Sequence, residues 1–365
     1  MIIKKFSAQG FRNIEKAEIE FSPGANLLVG ENAQGKTNAI EGIYIFARGK
    51  SFRKQEDREL LGFGKEGFRI SIEYEDITGS NTLEYAYFGR ERRRMKNGYK
   101  LSKLTDMLGS FRAVLFFPDD LSLVKDGPEE RRAFLNVAIS QCYPAYINAY
   151  AGFKKALENR NSLLKRASKG EAIDSNELLS WSEAMAEYAS FIYIKRRDYI
   201  SKLSRYASEN MERISDGRER LTLSYESNIG EEEDSSAEEI KRKYKDILTV
   251  NIEKEKTVGT SLYGPQRDDI EITVNGNDAR SYASQGQQRS IVLSMKLAEG
   301  EVINELTNEY PVYLFDDVLS ELDEKRRGFV LNGLSGKQII LTSCERVERY
   351  MKDARIITVR EGIYS

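Results

Sequence analysis

The sequence predicts an α/β fold whose core is interrupted first by an antiparallel β lobe and then by an inserted α-helical hairpin domain. Three observations predict it. At residues 25–48 a glycine-rich loop joins a short apolar run to a helix with periodic apolar residues. At 69–88 two alternating apolar runs flank a polar turn, which is typical of a hairpin. From 144 to about 211 the apolar spacing is that of long helices, with one break near 169–175.

The glycine-rich loop has the G-x-x-x-x-G-K-[ST] pattern of a phosphate-binding loop, or P-loop. Its backbone N–H groups would surround a terminal phosphate beside the positive end of the following helix. Lys36 adds a charge for the β and γ phosphates, and Thr37 adds a hydroxyl for Mg²⁺. A glycine-rich turn that binds nothing is the alternative, and the strand before the loop and the helix after it favour nucleotide binding. The loop residues expected to bind ATP are Gly30, Glu31, Asn32, Ala33, Gln34, Gly35, Lys36 and Thr37.

Composition excludes several classes of function. Among the 365 residues there is no histidine, so histidine bases, Ser-His triads and histidine metal sites are ruled out. The longest apolar runs are far shorter than the ~20 residues of a membrane span, and no signal-peptide pattern opens the chain. We therefore expect a cytoplasmic protein with no membrane partner. Cys142 and Cys344 lie far apart in the sequence, and both are expected to be buried small hydrophobic residues.

The remaining elements follow from apolar runs and turn residues. In chain order, the sequence predicts strands at 2–9, 15–21, 113–117, 221–225, 270–274, 338–341 and 355–359, and helices at 128–141, 237–254 and 287–306. The net charge of −2 does not indicate a nucleic-acid partner, so a nucleic acid would have to bind to a local basic patch.

The densest basic run covers residues 90–100. It either follows the phosphates of DNA or is an exposed hairpin of ordinary charged residues, and both interpretations stay open. The candidate DNA contacts are Arg92, Arg93, Arg94, Lys96 and Lys100.

Two acidic residues follow the buried run 312–315. Asp316 stands where a P-loop protein holds its magnesium aspartate, so Thr37 and Asp316 form the expected Mg²⁺ site. Asp317 would face the γ-phosphate and orient the attacking water, and with Lys36 it is the expected catalytic pair. An acidic cap on a loop is the alternative, but adjacent carboxylates repel each other unless they share a cation.

Ser284 and Gln287 have the spacing of a capping box at the start of a long helix. This helix start resembles the signature of an ABC-type ATPase. Together with the P-loop, the Asp316-Asp317 pair and the acidic segment that follows that pair, it resembles an ABC-type ATPase head. The signature-like residues are Ser284, Gln285, Gly286, Gln287 and Gln288, and the residues similar to a D-loop are Ser320, Glu321, Leu322 and Asp323. The predicted fold is therefore an ABC-ATPase-like P-loop core with the two insertions.

More closely, the chain resembles the RecF family of recombination mediators. The segments that carry this resemblance are Phe11-Arg12-Asn13, Gly35-Lys36-Thr37-Asn38, Phe117-Pro118-Asp119-Asp120-Leu121, Gly264-Pro265-Gln266-Arg267-Asp268-Asp269 and Ser284-Gln285-Gly286-Gln287-Gln288-Arg289. The resemblance implies an ATPase domain at 1–125 and 258–365 (lobe I, with a β sub-lobe at about 66–110) and a helical insertion domain at 126–257 (lobe II). It also adds Arg12, Asn13 and Asn38 to the expected nucleotide-binding residues.

The resemblance implies a cytoplasmic bacterial protein of DNA replication, gap repair and the SOS response. Such a protein binds ATP, Mg²⁺ and DNA, dimerises when ATP is bound, and uses a weak, DNA-stimulated ATPase as a switch. With RecR and RecO it helps to load RecA at junctions of single-stranded and duplex DNA. By analogy with ABC heads, the signature of one subunit would reach the γ-phosphate bound by the other.

Some positions depart from the family patterns. Aspartate stands at 317 where most ABC heads have glutamate, and Gln266 stands where family members commonly have histidine. The switch histidine is absent from 341–345, so Thr342 or Ser343 would sense the γ-phosphate. No Q-loop glutamine is found, and Pro118-Asp119-Asp120 takes about the place of a Q-loop. The main alternative is an SMC-like structural DNA-binding ATPase head without a mediator role; a transporter ATPase and a small-molecule kinase fit the insertions and the signature less well.

Overall fold

The computed structural model describes residues 1–89, 91–230, 234–344 and 353–365. The strands are β1 (Ile2–Phe11), β2 (Ile14–Glu20), β3 (Ala25–Val29), β4 (Gly67–Asp76), β5 (Gly79–Phe88), β6 (Glu91–Lys96), β7 (Tyr99–Lys100), β8 (Ala113–Phe116), β9 (Leu221–Glu226), β10 (Asp269–Val274), β11 (Asn277–Asp278), β12 (Val312–Phe315), β13 (Ile339–Ser343), β14 (Arg355–Arg360) and β15 (Ile363–Tyr364). The α-helices are α1 (Lys36–Arg48), α2 (Ser122–Lys125), α3 (Pro128–Cys142), α4 (Pro144–Ala167), α5 (Ser175–Ser215), α6 (Ala237–Val250), α7 (Ile252–Val258), α8 (Ala279–Tyr282), α9 (Gln285–Thr307) and α10 (Glu324–Gly333).

One sheet is antiparallel, in the order β2-β1-β4-β5-β6-β7. Its inner face is apolar, because alternate residues of each strand point into the core: Phe6 of β1 lies opposite Ile19 on one side and Ile72 on the other, and all are buried. The β lobe therefore includes the first two strands of the chain as well as the hairpin expected at 66–110. A strand's own sequence does not reveal a pairing partner so far away, which is why this pairing was not predicted.

The second sheet has the order β15-β14-β3-β13-β12-β8, with β14, β3, β13, β12 and β8 parallel. The central strands are buried on both faces; all four residues of β12 are buried, for example. Because parallel strands end at the same edge, Val29 of β3 lies beside Ser343 of β13, and Phe315 of β12 lies beside Leu341. The P-loop and Asp316 consequently start from neighbouring strand ends.

Helix α1 lies between the two sheets. Its Ile40, Ile43 and Phe46 are fully buried in one core with Phe6 of the antiparallel sheet and Leu28 of the parallel sheet. The opposite face of the parallel sheet is covered by α9 and α10, where Leu293 packs in a second core. The helix that follows the P-loop is thus held on both sides, which fixes the position of the loop.

The helical region forms a third core. Helix α4 packs against α5, which is 41 residues long, and α9 shares their core. A small sheet, β11-β10-β9, pairs residues 221–226 with 269–274 and so crosses the boundary that the sequence placed near 257. The helix expected at 237–254 is divided at Asn251 into α6 and α7, and α9 begins at Gln285 rather than Gln287.

The predicted class is confirmed: a mixed α/β fold with parallel and antiparallel sheets and an inserted helical region. In the part of the chain that the structure describes, no helix is both long enough and apolar enough to cross a bilayer.

Candidate nucleotide-binding site

The P-loop backbone depends on its glycines for specific geometric reasons. Gly35 has φ +115°, and a Cβ there would lie 2.8 Å from Asn13 Oδ1. A Cβ on Gly30 would lie 2.2 Å from the carbonyl oxygen of Val359. Both glycines of the motif are therefore required by close neighbours in other segments, and Gly35 also by its left-handed conformation.

The Lys36 side chain lies along the inside of the loop and is only 4% exposed. Its Nζ donates to the carbonyl oxygens of Gly30 (2.6 Å) and Glu31 (2.9 Å) and lies 3.6 Å from the sulfur of Cys344. The Cys344 thiol in turn donates to Asn32 Oδ1 at 2.9 Å. The segment after β13 thus reaches the P-loop through Cys344.

The expectation that both cysteines are buried is wrong for Cys344, which is exposed; Cys142 is half-buried. Cys344 follows the end of β13, where the parallel sheet opens toward the P-loop, so its position depends on the sheet edge and not on its own apolar character. Neither cysteine forms a disulfide.

Thr37 and Asp316, the expected Mg²⁺ pair, are brought together. Thr37 Oγ1 donates to Asp316 Oδ1 at 2.7 Å, and Thr342 Oγ1 contacts the same oxygen at 3.2 Å. Asp316 is 6% exposed, and this burial raises the pKa of its carboxyl above the ordinary value, although the two threonine hydroxyls oppose the shift. A buried carboxylate beside a hydroxyl offers the oxygen ligands that Mg²⁺ takes in proteins, so the residues present fit this ion.

Asp317 turns the chain at the end of β12 with φ +55°. Its N–H donates to Thr342 Oγ1 at 2.9 Å, and its carbonyl accepts from Ser320 Oγ at 2.7 Å. Thr342, one of the two residues suggested as sensors, is therefore in contact with both aspartates. The backbone carbonyl of Ser343 accepts from the Gly30 N–H at 3.3 Å.

The signature-like segment forms the expected capping box. The Gln287 N–H donates to Ser284 Oγ (3.3 Å), and the Ser284 N–H donates to Gln287 Oε1 (2.8 Å), with Gln285 as the first helical residue. Gln288 donates to the carbonyl of Ala283. No hydrogen bond or ion pair between described residues joins 284–288 to 30–38.

The D-loop-like segment is linked to the signature by Arg326, a residue that neither motif contains. Asp323 caps α10 and forms an ion pair with Arg326, whose Nη2 donates to the carbonyl of Gly286 at 3.0 Å. Leu322 is buried, and its N–H donates to the carbonyl of Leu319 at the end of the 3₁₀ turn Val318–Glu321. An arginine three residues after a capping aspartate could have indicated the pair with Asp323, but the bond to Gly286 joins residues too far apart for such a local signal.

Arg12 lies beside the P-loop helix. Its Nε and Nη2 donate to both carboxylate oxygens of Glu41, at 3.0 and 2.7 Å, and Arg53 approaches the same carboxylate at 3.6 Å. Glu41 is fully buried in α1. The structure thus gives Arg12 an ion-pair partner, while its contact with nucleotide stays a prediction. Sequence reasoning missed Glu41, although an acidic residue among the apolar Ile40 and Ile43 was a visible signal.

Asn13 and Asn38 support the loop from outside. Asn38 Nδ2 donates to Asn13 Oδ1 at 2.8 Å, and Asn13 Nδ2 reaches the carbonyl of Ala33 at 3.5 Å. Ala33 has φ +63°, so this contact falls on a left-handed residue of the loop.

The candidate DNA contacts do not form one row, because alternate residues of β6 face opposite sides of the sheet. Arg92 pairs with Asp57, the Arg94 guanidinium lies 5.3 Å from the centre of the Tyr85 ring, and Lys96 donates to Ser110. Arg93 lines a groove of about 890 Å³ on the other face, together with Lys16, Lys65 and Arg69. Lys100 is exposed on β7; Arg90 and Glu345 lie outside the described residues.

The Gly264–Asp269 segment anchors helices. Asp268 pairs with Arg196 of α5 at 3.0 Å, with both side chains almost fully buried, and Asp269 pairs with Arg131 of α3 at 2.7 Å. Gln266, which stands where family members commonly have histidine, donates to the carbonyl of Tyr263 at 3.0 Å. In this structure the segment holds the helical region to β10.

The sequence matches the family model described as the RecF/RecN/SMC N terminal domain over residues 2–362. The DNA replication and repair protein RecF of Clostridioides difficile is 37% identical over 361 residues, covering 98% of this chain and 96% of that protein. The protein of the same name from Alkaliphilus oremlandii is 37% identical over 344 residues, covering 94% and 93%.

A solved RecF-ATP structure, of the recombination mediator protein in the RecFOR pathway, superposes with a TM-score of 0.91 at 34% identity, covering all of this chain and 97% of that one. The Smc head domain of Pyrococcus furiosus superposes with a TM-score of 0.56 at 19% identity, covering 100% and 95%, which shows a shared fold.

Proposed function

The chain belongs to the RecF family, and from this premise we propose that it is an ATP-switched, DNA-binding recombination mediator of DNA replication and gap repair. The observation that carries the proposal is the meeting of the P-loop Thr37 with the buried Asp316, at 2.7 Å, in a chain 37% identical to proteins named for DNA replication and repair. The similar solved structure is described as RecF-ATP, and we infer that ATP binds to this site.

In the proposed site the backbone N–H groups of 30–37 bind the phosphates of ATP and Lys36 supplies their counter-charge. Thr37 and Asp316 hold Mg²⁺, which neutralises phosphate charge when it is bound. Asp317 orients the attacking water, and the Thr342 hydroxyl holds Asp317 in place by accepting its backbone N–H. Because an aspartate is shorter than the glutamate of most ABC heads, hydrolysis is slow, as a timer requires.

The signature of one copy completes the site of another. The helix start at Ser284–Gln288 offers partial positive charge to the γ-phosphate, and the lack of any hydrogen bond or ion pair between described residues of this segment and the P-loop within one chain supports binding in trans. The D-loop residues Ser320–Asp323 are linked to the signature by Arg326, and they belong to the same proposed contact between the two copies. ATP thus joins two copies, and hydrolysis separates them.

DNA, single-stranded or at a single-strand/duplex junction, binds the basic residues of β6 and β7. The dimer acts with RecR and RecO, and through them on RecA, in gap repair and the SOS response. Support comes from the RecFOR pathway named for the solved relative. We propose that the protein works in the cytoplasm, where ATP and the chromosome are found.

The trans site is tested by light scattering coupled to size exclusion, with and without ATP and Mg²⁺. We expect the wild type to dimerise only with both ligands, Lys36→Met to bind no ATP, and Ser284→Arg to bind ATP yet stay monomeric. Ser80→Arg, an exposed serine of β5, is the control and should behave as wild type. A wild type that stays monomeric in every condition contradicts the trans site.

An SMC-like ATPase head without a mediator role is the second candidate, favoured by the shared fold with Smc heads. RecA filament formation on gapped DNA coated with single-strand binding protein separates the two. A mediator accelerates loading in the presence of RecO and RecR, and Lys36→Met abolishes the effect. An SMC-like head binds the same DNA in an ATP-dependent way but leaves the loading rate unchanged.

A further inference from the structure

The hairpin formed by β14 and β15 contacts the outer side of the P-loop. The Tyr364 hydroxyl donates to the carbonyl of Gly35 at 2.9 Å, and the Gly362 N–H donates to the carbonyl of Gln34 at 2.8 Å. The Glu361 N–H donates to Gln34 Oε1 at 2.5 Å. These bonds reach the two residues that immediately precede Lys36.

The hairpin is fixed to the same strand that feeds the loop. Strand β14 pairs in parallel with β3, with Thr358 beside Val29, and Thr358 exchanges two backbone hydrogen bonds with Ser365. The turn uses left-handed residues, Glu361 (φ +49°) and Gly362 (φ +77°), as tight hairpins require. A Cβ on Gly362 would lie 2.3 Å from the carbonyl oxygen of Asn13, so the turn has little room to shift.

The hairpin bonds constrain which way the loop's N–H groups point. In a planar trans peptide the C=O of one residue and the N–H of the next point in opposite directions. The Gly35 carbonyl also accepts the N–H groups of Asn38 (3.0 Å) and Ala39 (3.2 Å) at the start of α1, so the helix and Tyr364 fix it together, while Gly362 of the hairpin holds the Gln34 carbonyl. With both carbonyls held in this way, the N–H groups of Gly35 and Lys36 point in the opposite direction, toward the inside of the loop. Across the described ranges of the chain, neither of these N–H groups takes part in a hydrogen bond.

We propose that the β14–β15 hairpin is a positioning element of the nucleotide site, which keeps the N–H groups of Gly35 and Lys36 aimed at the phosphates of ATP. Gln34 and Tyr364 are its positioning residues. The Tyr364 hydroxyl is protonated at neutral pH and can donate, and burial raises its pKa further. The inference deepens the proposed function and rests on the ATP binding proposed there.

The test compares Tyr364→Phe, which removes only the hydroxyl, and Gln34→Leu with the wild type. Equilibrium binding of a fluorescent ATP analogue and steady-state hydrolysis are the measurements. We expect each variant to weaken ATP binding about fivefold, the typical effect of one lost hydrogen bond, and to raise KM for ATP with little change in kcat. Tyr99→Phe, which alters a tyrosine that is 78% exposed on β7, is the control.

The outcomes separate the two proposals. If the wild type binds no ATP, the proposed function itself fails. If the wild type binds ATP and both variants match it in affinity and KM, the positioning role is overturned while ATP binding stands. A thermal midpoint that falls without a change in affinity shows that the hairpin only stabilises the fold, which also overturns the inference.

Discussion

Thr342 joins the two aspartates at the end of β12 to the neighbouring strand. Its hydroxyl lies 3.2 Å from Asp316 Oδ1 and accepts the Asp317 N–H at 2.9 Å. It is 3% exposed, so water cannot replace these bonds. A single hydroxyl therefore orients both acidic residues of the candidate site.

Thr342→Val removes this hydroxyl at nearly constant volume. We expect ATP hydrolysis to fall about tenfold, because the Asp317 backbone loses its partner, a loss typically of ~1–3 kcal/mol for a buried group. The Mg²⁺ concentration for half-maximal hydrolysis should rise as well. Thr342→Ser keeps the hydroxyl and should stay within about twofold of the wild type. Equal rates for the valine and serine variants would show that the hydroxyl has no part in the site.

Glu41 is fully buried in α1 and is paired with Arg12 and Arg53. Glu41→Gln leaves the Arg12 guanidinium, which is mostly buried, without a counter-charge. We therefore expect the free energy of unfolding to fall by about 3 kcal/mol in urea denaturation. Glu84→Gln, which breaks the more exposed pair with Arg69, is the matched control and should cost less than ~1 kcal/mol. If both variants lose the same stability, burial of the Arg12 pair is not what stabilises α1.

At the scale of elements, α9 is attached to the segment after β8 through a buried charge cluster. Lys296 of α9 lies 3.8 Å from Asp120 and 3.3 Å from Glu299, and all three are under 8% exposed. Asp120 also accepts the Phe117 N–H at 2.9 Å. The Pro118–Asp120 segment, which the sequence placed near a Q-loop, thus connects the helix of the signature to the parallel sheet.

This cluster makes stability depend on pH. Burial raises the pKa of Asp120 from 3.8 to about 6, although Lys296 opposes the shift. A carboxyl with a raised pKa in the folded state adds stability below pH 3.8 that is lost as the pH rises through about 6. We therefore expect the unfolding free energy of the wild type, relative to Asp120→Asn, to fall between pH 4 and pH 7, by up to ~3 kcal/mol.

Urea denaturation at several pH values measures this difference. Asp119→Asn, which alters the exposed neighbour of Asp120, is the control and should leave the pH dependence of the wild type unchanged. Parallel pH profiles for the wild type and Asp120→Asn would contradict the assigned role of burial.

At the scale of the whole molecule, the antiparallel sheet, α1, the parallel sheet and the α9–α10 pair form successive layers, and the helical region joins them through α9 and the β9–β10 pairing. The division into lobe I (1–125 and 258–365) and lobe II (126–257) remains a proposal. The buried pair Arg196–Asp268 crosses that boundary, so a motion between the lobes would have to keep or break it.

DNA binding by this molecule should depend steeply on salt, because each phosphate contact releases a counterion. We expect Arg93→Ala and Lys100→Ala each to weaken binding and to reduce the slope of log affinity against log salt by about 0.7 on single-stranded DNA. Arg355→Ala, at an exposed position of β14, is the control and should leave the slope unchanged. Fluorescence anisotropy from low to high salt measures the slope. Unchanged slopes in Arg93→Ala and Lys100→Ala would favour the reading of β6–β7 as an ordinary charged hairpin.

Local patterns determined much of this protein. The P-loop pattern located a strand, a loop and a helix, and the apolar run before Asp316 located β12, because both signals lie in consecutive residues. The Ser284–Gln287 capping box was predictable for the same reason, since its partners are three residues apart. The family resemblance rested on several such segments together and is confirmed by the match over 2–362.

Only the tertiary structure decided which distant residues complete the site. The pairing of β1 with β4, the bond of Thr342 to both aspartates, the exposure of Cys344 and the contact of Tyr364 with Gly35 all join residues far apart in the chain. Such contacts depend on strand order and on which strand ends share an edge, and no periodicity within one segment records them. The sequence by itself determined the chemical groups of the site, and the packing of the sheets decided which of those groups meet.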